Sequence, residues 1–570
     1  MIMKIVLLCD QKRAEGGCQG SREYLVTHRQ QEHRAEPSRV APGLPRALPR
    51  YHRRVLTFSE QTRAASLTRM AEDRFDVLVI GGGITGVGIA LDAAARGLSV
   101  ALVEKDDFAA GTSGRSSRLV HGGLRYLEHG EFGLVRESLR ERGILYRLAP
   151  HLVRPVPMYM LAGDLRRRAT YRAGLTAYEV LAAGRNIGYH TSVSAARVAE
   201  AIPGLGGRSR GFRYFECQVD DARLTIEVAR AAHAAGARLA NHARVTGLLG
   251  EGRVTGAAVT DEMTGQGFEV RARAVVNATG IWAERVAELA AGSGVQGRVR
   301  LRPSKGVHLV FAPGAVRTTA AVVAPSAAHD GRYVFIVPWE DRVYAGTTDT
   351  PYQGDLDDPA VGDADRDYIL AAVAGLFPGV TSRDVVASWA GLRPLLGAAS
   401  GQDDAGDTTS SDLSRKHAVV TGPFGLYTIT GGKLTTYRAM AEDLVDRVAA
   451  DLGGVKGSGP CRTRDIPLGL HGPAAAAVRL ARDEVARLGL PPRTAVRLVG
   501  RFGDDWGQAA RLIGEDRSLG EPVADGLPVL GVEVALARSR EMALTDQDVY
   551  VRRTRLTTLG LTPSAGSRRE

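Results

Sequence analysis

The chain has 570 residues, of which 44% are hydrophobic and 24% charged, enough for two or three globular domains around sizeable cores. No apolar run is long enough to cross a bilayer as a helix. The net charge of +11 invites a nucleic-acid reading, but residues 1–70 carry +7 of it and the remaining 500 only +4, so the body lacks a basic footprint for phosphate backbones.

The first 73 residues do not read as a domain. A short apolar run, IVLL, leads into an Arg-rich stretch punctuated by Pro37, Pro42, Pro45 and Pro49. A secretory signal would need a longer apolar core, and a mitochondrial transit peptide fewer acids. Residues 1–73 are therefore expected to be a disordered tail or an extension ahead of a start at Met70, which opens MAEDRFDVLVIGGG.

From Phe75 the pattern is that of a βαβ unit. FDVLVI suits a buried parallel strand, IALDAAARG a helix ending at Gly97, and SVALVE a second buried strand. Between the first strand and the helix, Gly81, Gly83 and Gly86 form G-x-G-x-x-G. The first glycine permits the turn, the second admits a pyrophosphate, and the third lets helix lie on strand. The helix N-terminus supplies unpaired N–H groups and the positive end of its dipole. Glu104 ends the second strand, where a carboxylate accepts from ribose hydroxyls and repels a 2′-phosphate.

The next loop, KDDFAAGTSGRSSRLVHGG, carries Thr112, Ser113, Ser116, Ser117 and Arg118, small donors that suit an extended FAD. A later strand ends in VVNATG, bringing Ala278 and Gly280 towards the same ligand. Two separated segments folding onto one dinucleotide favour FAD over NAD. HGGLRYLEHGEFGLV, starting at His121, is hard to explain as packing: a helix avoids its glycine pair and a buried strand its charges.

Residues 150–390 alternate strand-like and helical patches without an internal repeat. Within them, DLRRRATYRAGLTAYEVLAAGRN sets Arg166, Arg167, Arg168 and Arg172 beside Tyr171, Leu175, Tyr178 and Leu181 at near-helical spacing. That pattern reads first as a helix with a core face and a solvated back, and second as one lying in an anionic membrane interface. Beyond the linker GGVKGSGP the chain becomes helical and charged. Cys9, Cys18, Cys217 and Cys461 are scattered, with no C-x-x-C pair for zinc or an iron–sulfur cluster, so no metal site is expected.

The run VLVIGGGITGVGIALDAAARGLSVALVEKDDFAAGTSGRSSRLVHGGLRYLEHGEF closely resembles the N-terminal region of FAD-dependent glycerol-3-phosphate dehydrogenases. FECQVDDARL at 215–224, VVNATGIW at 275–282, AGTTDT at 345–350, GLRPLL at 391–396 and TGGKLTTYRAMAED at 430–443 agree in order. The resemblance covers about residues 75–450 and, more faintly, the helical C-terminus.

The resemblance implies an α/β fold in which a Rossmann-like FAD-binding domain is interleaved with a mixed-sheet substrate domain of the D-amino-acid-oxidase-like class. A small helical C-terminal domain would follow at 465–560. Within 74–455 the FAD-binding parts would fall at about 74–150, 210–300 and 388–455, and the substrate parts at 151–209 and 301–387. The implied reaction is oxidation of sn-glycerol 3-phosphate to dihydroxyacetone phosphate, with electrons passed through FAD to membrane quinone. An oxidase using oxygen, or another flavin oxidase of the same fold, is the alternative. The implied location is the cytoplasm, peripherally on the inner face of the cell membrane, with no nucleic-acid partner; a homodimer is compatible with it.

By the same resemblance Arg125, Tyr126, Arg393, Arg415 and Lys433 would hold substrate, with Arg393 and Lys433 also taking part in catalysis. Gly122, Gly123, Gly431, Gly432, Lys433, Leu434 and Thr435 would lie along the cofactor. His121 or His308 is the base, imidazole titrating near working pH, and the sequence leaves the choice open. Arg415 rests on a looser local match and reads also as a surface ion pair; Asp349 reads also as a turn cap, and Arg438 as the helical partner of Glu442. Cys217 reads as a small buried residue.

Overall fold

The computed structural model describes residues 57–562 apart from 208, 290–299, 329, 397–416, 423 and 454–458. Two sheets organise it. The first is eight-stranded, ordered Ala418–Thr421, Tyr427–Thr430, Gly267–Asn277, Arg74–Ile80, Val100–Val103, Arg238–Ala240, with Ala243–Leu249 and Gly256–Asp261 added through an antiparallel meander. Arg74–Ile80 pairs in parallel with both Gly267–Asn277 and Val100–Val103. These apolar runs therefore sit in the middle of the sheet, covered by the helices Ile84–Ala95, Asp221–Ala234 and Tyr437–Asp451.

The second sheet is ten-stranded and largely antiparallel. Its longest ladder runs between Leu301–Phe311 and Val385–Leu396, from Leu301 opposite Leu396 to Phe311 opposite Val385. The chain passes between the sheets several times, and this shifts the expected boundaries. Leu119–Val120, Gly211–Gln218 and Val385–Leu396 all belong to the second sheet, although 74–150, 210–300 and 388–455 read as cofactor-binding parts. The reason is partner choice: Gly211–Gln218 finds an eight-residue antiparallel mate in Arg154–Leu161, which its own sequence cannot reveal.

The N-terminal expectation needs correction over the described residues. Glu60–Glu72 is a helix with Arg63, Ser66 and Met70 buried. Phe58 ahead of it is fully buried against Phe108 and His233. Arg63 donates to the carbonyls of Asn241 (2.9 Å) and His242 (3.2 Å) and pairs with Asp261. A start at Met70 would remove these contacts. The helix was illegible because its buried face consists of an arginine, a serine and a methionine. Residues 1–56 lie outside the described part.

The C-terminal helices Ala474–Arg487, Arg493–Phe502, Trp506–Glu515 and Gly531–Arg540 share a core of Val485, Leu498, Phe502, Ile513 and Leu536. Buried ion pairs fasten this segment to the loop after Val100–Val103 and to the helix Asp221–Ala234. Arg552 and Arg553 both pair with Asp107, Arg223 pairs with Glu541, and Arg555 pairs with Asp220 and Asp221.

Candidate active site

A cavity of about 510 Å³ lies along the C-terminal ends of the parallel strands and reaches the second sheet. Its first wall is the glycine turn. Gly81 has φ +113°, and a Cβ there would stand 2.8 Å from the Ala278 carbonyl; at Gly86 it would stand 1.9 Å from the carbonyl of Gly81. Both glycines are thus required by close backbone approach. Glu104 accepts from the N–H of Gly82 (2.6 Å) and of Asp106 (2.9 Å), and burial pushes its carboxyl upward. Ser113 Oγ accepts from Ile84 N (2.9 Å), capping the helix from outside because Gly83, its N-cap, has no side chain.

Several expected cofactor ligands line this cavity but spend their hydroxyls on the protein. Thr112 donates to the Leu392 carbonyl (2.6 Å), Ser116 to Asp221 (2.6 Å), and Ser117 is bonded to His308 Nε2 (2.8 Å). These bonds fix the loop against the rest of the protein. Ala278, Gly280, Gly431, Gly432, Lys433, Leu434 and Thr435 also line the cavity, and a Cβ at Gly280 would meet nothing within 4 Å.

Other expected ligands lie elsewhere. Gly122 is enclosed by Tyr178 and Leu139, and Gly123, at φ +78°, lies against Tyr126; neither lines the cavity, and both serve packing. Arg118 is fully buried away from the cavity, its guanidinium 4.6 Å from the ring centre of Trp339 and 4.8 Å from that of Trp389. Its left-handed backbone (φ +54°) turns the side chain into the second sheet. Arg125 is half-buried and does not line the cavity, whereas its neighbour Tyr126 does. Arg415 lies outside the described residues.

At the second-sheet end, Arg393 donates to Asp349 (3.3 Å), Ser304 Oγ (3.4 Å), Thr347 Oγ1 (3.2 Å) and the Thr348 carbonyl (3.1 Å). Asp349 therefore anchors the arginine rather than merely capping a turn. Lys433 Nζ lies 3.9 Å over the Tyr126 ring and 3.2 Å from Ser138 Oγ. His121 lines the same cavity, its backbone bonded to Thr435 Oγ1. The His308 imidazole stacks on Trp389, and burial, with Arg393 and Arg118 adding to it, holds its pKa well below the ordinary value. It is neutral at working pH.

Sequence reasoning missed Trp389, Ser304, Ser138, Trp282 and Gly306. Gly306 leaves room for Arg393, since a Cβ would stand 2.6 Å from its Nη2. Trp389 was discoverable, two residues before the glycine of GLRPLL; Ser138 and Ser304 carried no signal. The buried indole N–H of Trp282 and the hydroxyl of Thr430, both on the cavity wall, have no hydrogen-bond partner among the described residues. Such orphaned polar groups, the side-chain-free turn and the carboxylate ending the second strand together fit an extended dinucleotide.

Fold and site define a flavin-dependent oxidoreductase. The family described as FAD dependent oxidoreductase matches residues 76–438, and the C-terminal domain of alpha-glycerophosphate oxidase matches 461–565. Glycerol-3-phosphate dehydrogenase 2 of Mycobacterium tuberculosis is 41% identical over 501 residues, 87% of this chain and 83% of that protein. Aerobic glycerol-3-phosphate dehydrogenase of Bacillus subtilis is 38% identical over 87% of this chain and 90% of its own length. The crystal structure of the glycerol-3-phosphate dehydrogenase from Bacillus halodurans complexed with FAD superposes with a TM-score of 0.70 at 33% identity, covering 88% of this chain and 90% of that one. The chain belongs to the FAD-dependent glycerol-3-phosphate dehydrogenase family, and its cofactor is FAD.

Proposed function

We propose that this chain oxidises sn-glycerol 3-phosphate to dihydroxyacetone phosphate and delivers the two electrons to a membrane quinone. The observation that carries the reading is the anchored Arg393, a forked cation fixed by Asp349, Thr347 and Thr348 in the cavity that also holds Lys433 and a neutral His308. A phosphate dianion suits such a fork. Bound FAD supplies the two-electron acceptor for hydride from the substrate's C2.

The remaining work falls to the protein. Arg393 and Lys433 hold the substrate's anionic end, and Tyr126 holds Lys433 in place through its ring face. His308, neutral and bonded through Nε2 to Ser117, accepts the C2 hydroxyl proton as the carbonyl forms. His121 lies at the Thr435 side of the cavity and shapes the cofactor end.

Contact with a membrane surface is supported by the helix Leu165–Leu181. Leu165 is 79% exposed and Val180 69% exposed, with Arg166, Arg167 and Arg172 exposed on the same helix. No helix among the described residues is long and apolar enough to cross a membrane. A second reading, with oxygen as acceptor, draws on the oxidase-type C-terminal domain match. Anaerobic addition of glycerol 3-phosphate to the FAD-loaded protein should bleach the oxidised-flavin band. Recovery with a soluble quinone analogue but only slowly with air supports the dehydrogenase; fast recovery in air supports the oxidase; no bleaching overturns the substrate.

A further inference from the structure

A second cavity, of about 550 Å³, opens where the C-terminal helices meet the rest of the chain. The helix Arg493–Phe502 places Arg493, Arg497 and Arg501 on its wall at successive i,i+4 positions, a spacing at which like charges repel. Arg154, from the second sheet, crosses this helix at Gly500, where a Cβ would stand 2.0 Å from its Nη2. A glycine at that position lets a fourth guanidinium join the three.

These arginines are unequally neutralised. Arg497 is forked onto Glu533 at 2.5 and 3.0 Å. Arg501, 9% exposed, makes no such bond: its Nε and Nη2 have no hydrogen-bond partner among the described residues, and the carboxylates of Glu533 and Glu541 stand 3.7 Å away. Those acids are already engaged by Arg497 and Arg223. Arg154 donates to the His151 carbonyl (3.1 Å), and among the described residues neither Arg154 nor Arg493 has an ion pair. Burial holds Arg501 below the ordinary arginine range, with Arg223 adding; it does the same to Arg154, where Glu340 opposes and Arg497 adds. An anion in the cavity would relieve both.

We propose that this cavity binds a small phosphate-bearing anion, held by Arg154, Arg493 and Arg501, independently of the FAD cavity. Forked donors converging from two elements suit phosphate oxygens. The volume exceeds what a lone phosphate fills, and the apolar wall of Leu527, Pro528 and Val529 accommodates the carbon part of a phosphorylated metabolite. The site has a route to the cofactor. Arg555 on its wall donates to Asp220 (3.0 Å) and to the carbonyl of Gly114 (3.0 Å). Arg555 also pairs with Asp221, which accepts from Ser116 N at 2.9 Å in the loop lining the FAD cavity.

Inorganic phosphate is the probe, binding to the FAD-loaded full chain is followed by equilibrium dialysis, and the flavin difference spectrum reports the other cavity separately. The wild type should bind one phosphate that leaves the flavin spectrum unchanged. Arg154→Gln with Arg493→Gln, which break no ion pair among the described residues, should weaken that phosphate by about tenfold or more, as loss of charge-assisted hydrogen bonds requires. The spectral response to phosphate, where present, should persist. No spectrally silent phosphate at millimolar concentration, or one retained unchanged in the double variant, overturns the proposal. A silent site that is lost in the variant upholds it whether or not glycerol 3-phosphate bleaches the flavin; failure to bleach counts against the glycerol 3-phosphate reading alone.

Discussion

His308 and Trp389 stack face to face, ring centres 4.7 Å apart and planes inclined by 10°. They are directly opposite one another on the two long antiparallel strands. The indole shields one imidazole face from water, Tyr344 packs edge-on against the ring, and Ser117 occupies Nε2.

The stack has a consequence for pH dependence. Burial, then Arg393 and Arg118, keep His308 neutral far below its ordinary value of 6.5. Trp389→Leu admits water to the ring and raises its pKa towards that value. The acidic limb of kcat/KM should therefore move up, by about one unit, so that the variant loses more activity at pH 6 than at pH 8. An unmoved limb would remove His308 from the proton step.

Arg393→Lys keeps the charge but discards the fork. Lysine cannot reach Asp349, Thr347 Oγ1 and the Thr348 carbonyl together as the guanidinium does. The apparent KM for glycerol 3-phosphate should rise by about tenfold to a hundredfold, with FAD content unchanged. Loss of FAD would instead place Arg393 in the cofactor site.

A chain begun at Met70 should be markedly less stable than one begun at Thr57. It loses Phe58, buried on Phe108 and His233, and leaves Asp261 without Arg63. Removal of a buried aromatic and half of a buried ion pair costs about 3–5 kcal/mol each in typical cases. The urea midpoints of the two chains decide the matter; equal midpoints would show that the helix contributes nothing.

Acid sensitivity should centre partly on His151. It is 2% exposed, and burial, opposed by Glu227 and reinforced by Arg223, lowers its pKa to about 4. The unfolded chain, near 6.5, binds the proton first. Stability from the neutral ring is therefore complete above pH 6.5 and is lost as pH falls towards about 4. The difference corresponds to ~3 kcal/mol. Unfolding free energies of wild type and His151→Gln, measured across this range, should converge on the acid side; parallel curves would refute the assignment.

The sequence displayed what is local. The glycine turn, Glu104 and the strands on either side are contiguous, and their pattern follows from hydrogen bonding and burial within thirty residues of chain. Arg393, Lys433 and His308 were reached only through resemblance, because they meet in space from strands and turns far apart. What failed did so for identifiable reasons. Arg118 sits among hydroxyl residues that line the cavity, yet its positive φ sends it the opposite way. Gly122 and Gly123 resembled a cofactor passage because glycine pairs serve close packing and ligand approach alike. The helix before Met70 lacks an apolar stripe, its buried face being built on Arg63 and its long-range partners.

The helix Leu165–Leu181 should mediate attachment to anionic lipid. Leu175 and Tyr178 of the helix are buried and Tyr171, Ala177 and Leu181 pack against the core, which leaves Leu165 and Val180 as its large apolar residues that do not serve it. Leu165 and Val180 stand exposed at opposite ends, with exposed arginines nearby, each worth about 1 kcal/mol beside an anionic surface. The wild type should cosediment with vesicles containing phosphatidylserine, less so as ionic strength rises, and not with neutral phosphatidylcholine vesicles. Leu165→Glu with Val180→Glu should abolish cosedimentation while leaving turnover with a soluble acceptor intact, since neither residue lines the FAD cavity. Binding unchanged in that variant would assign attachment to another surface; no binding by the wild type would remove the membrane from the proposed function and leave a soluble acceptor in its place.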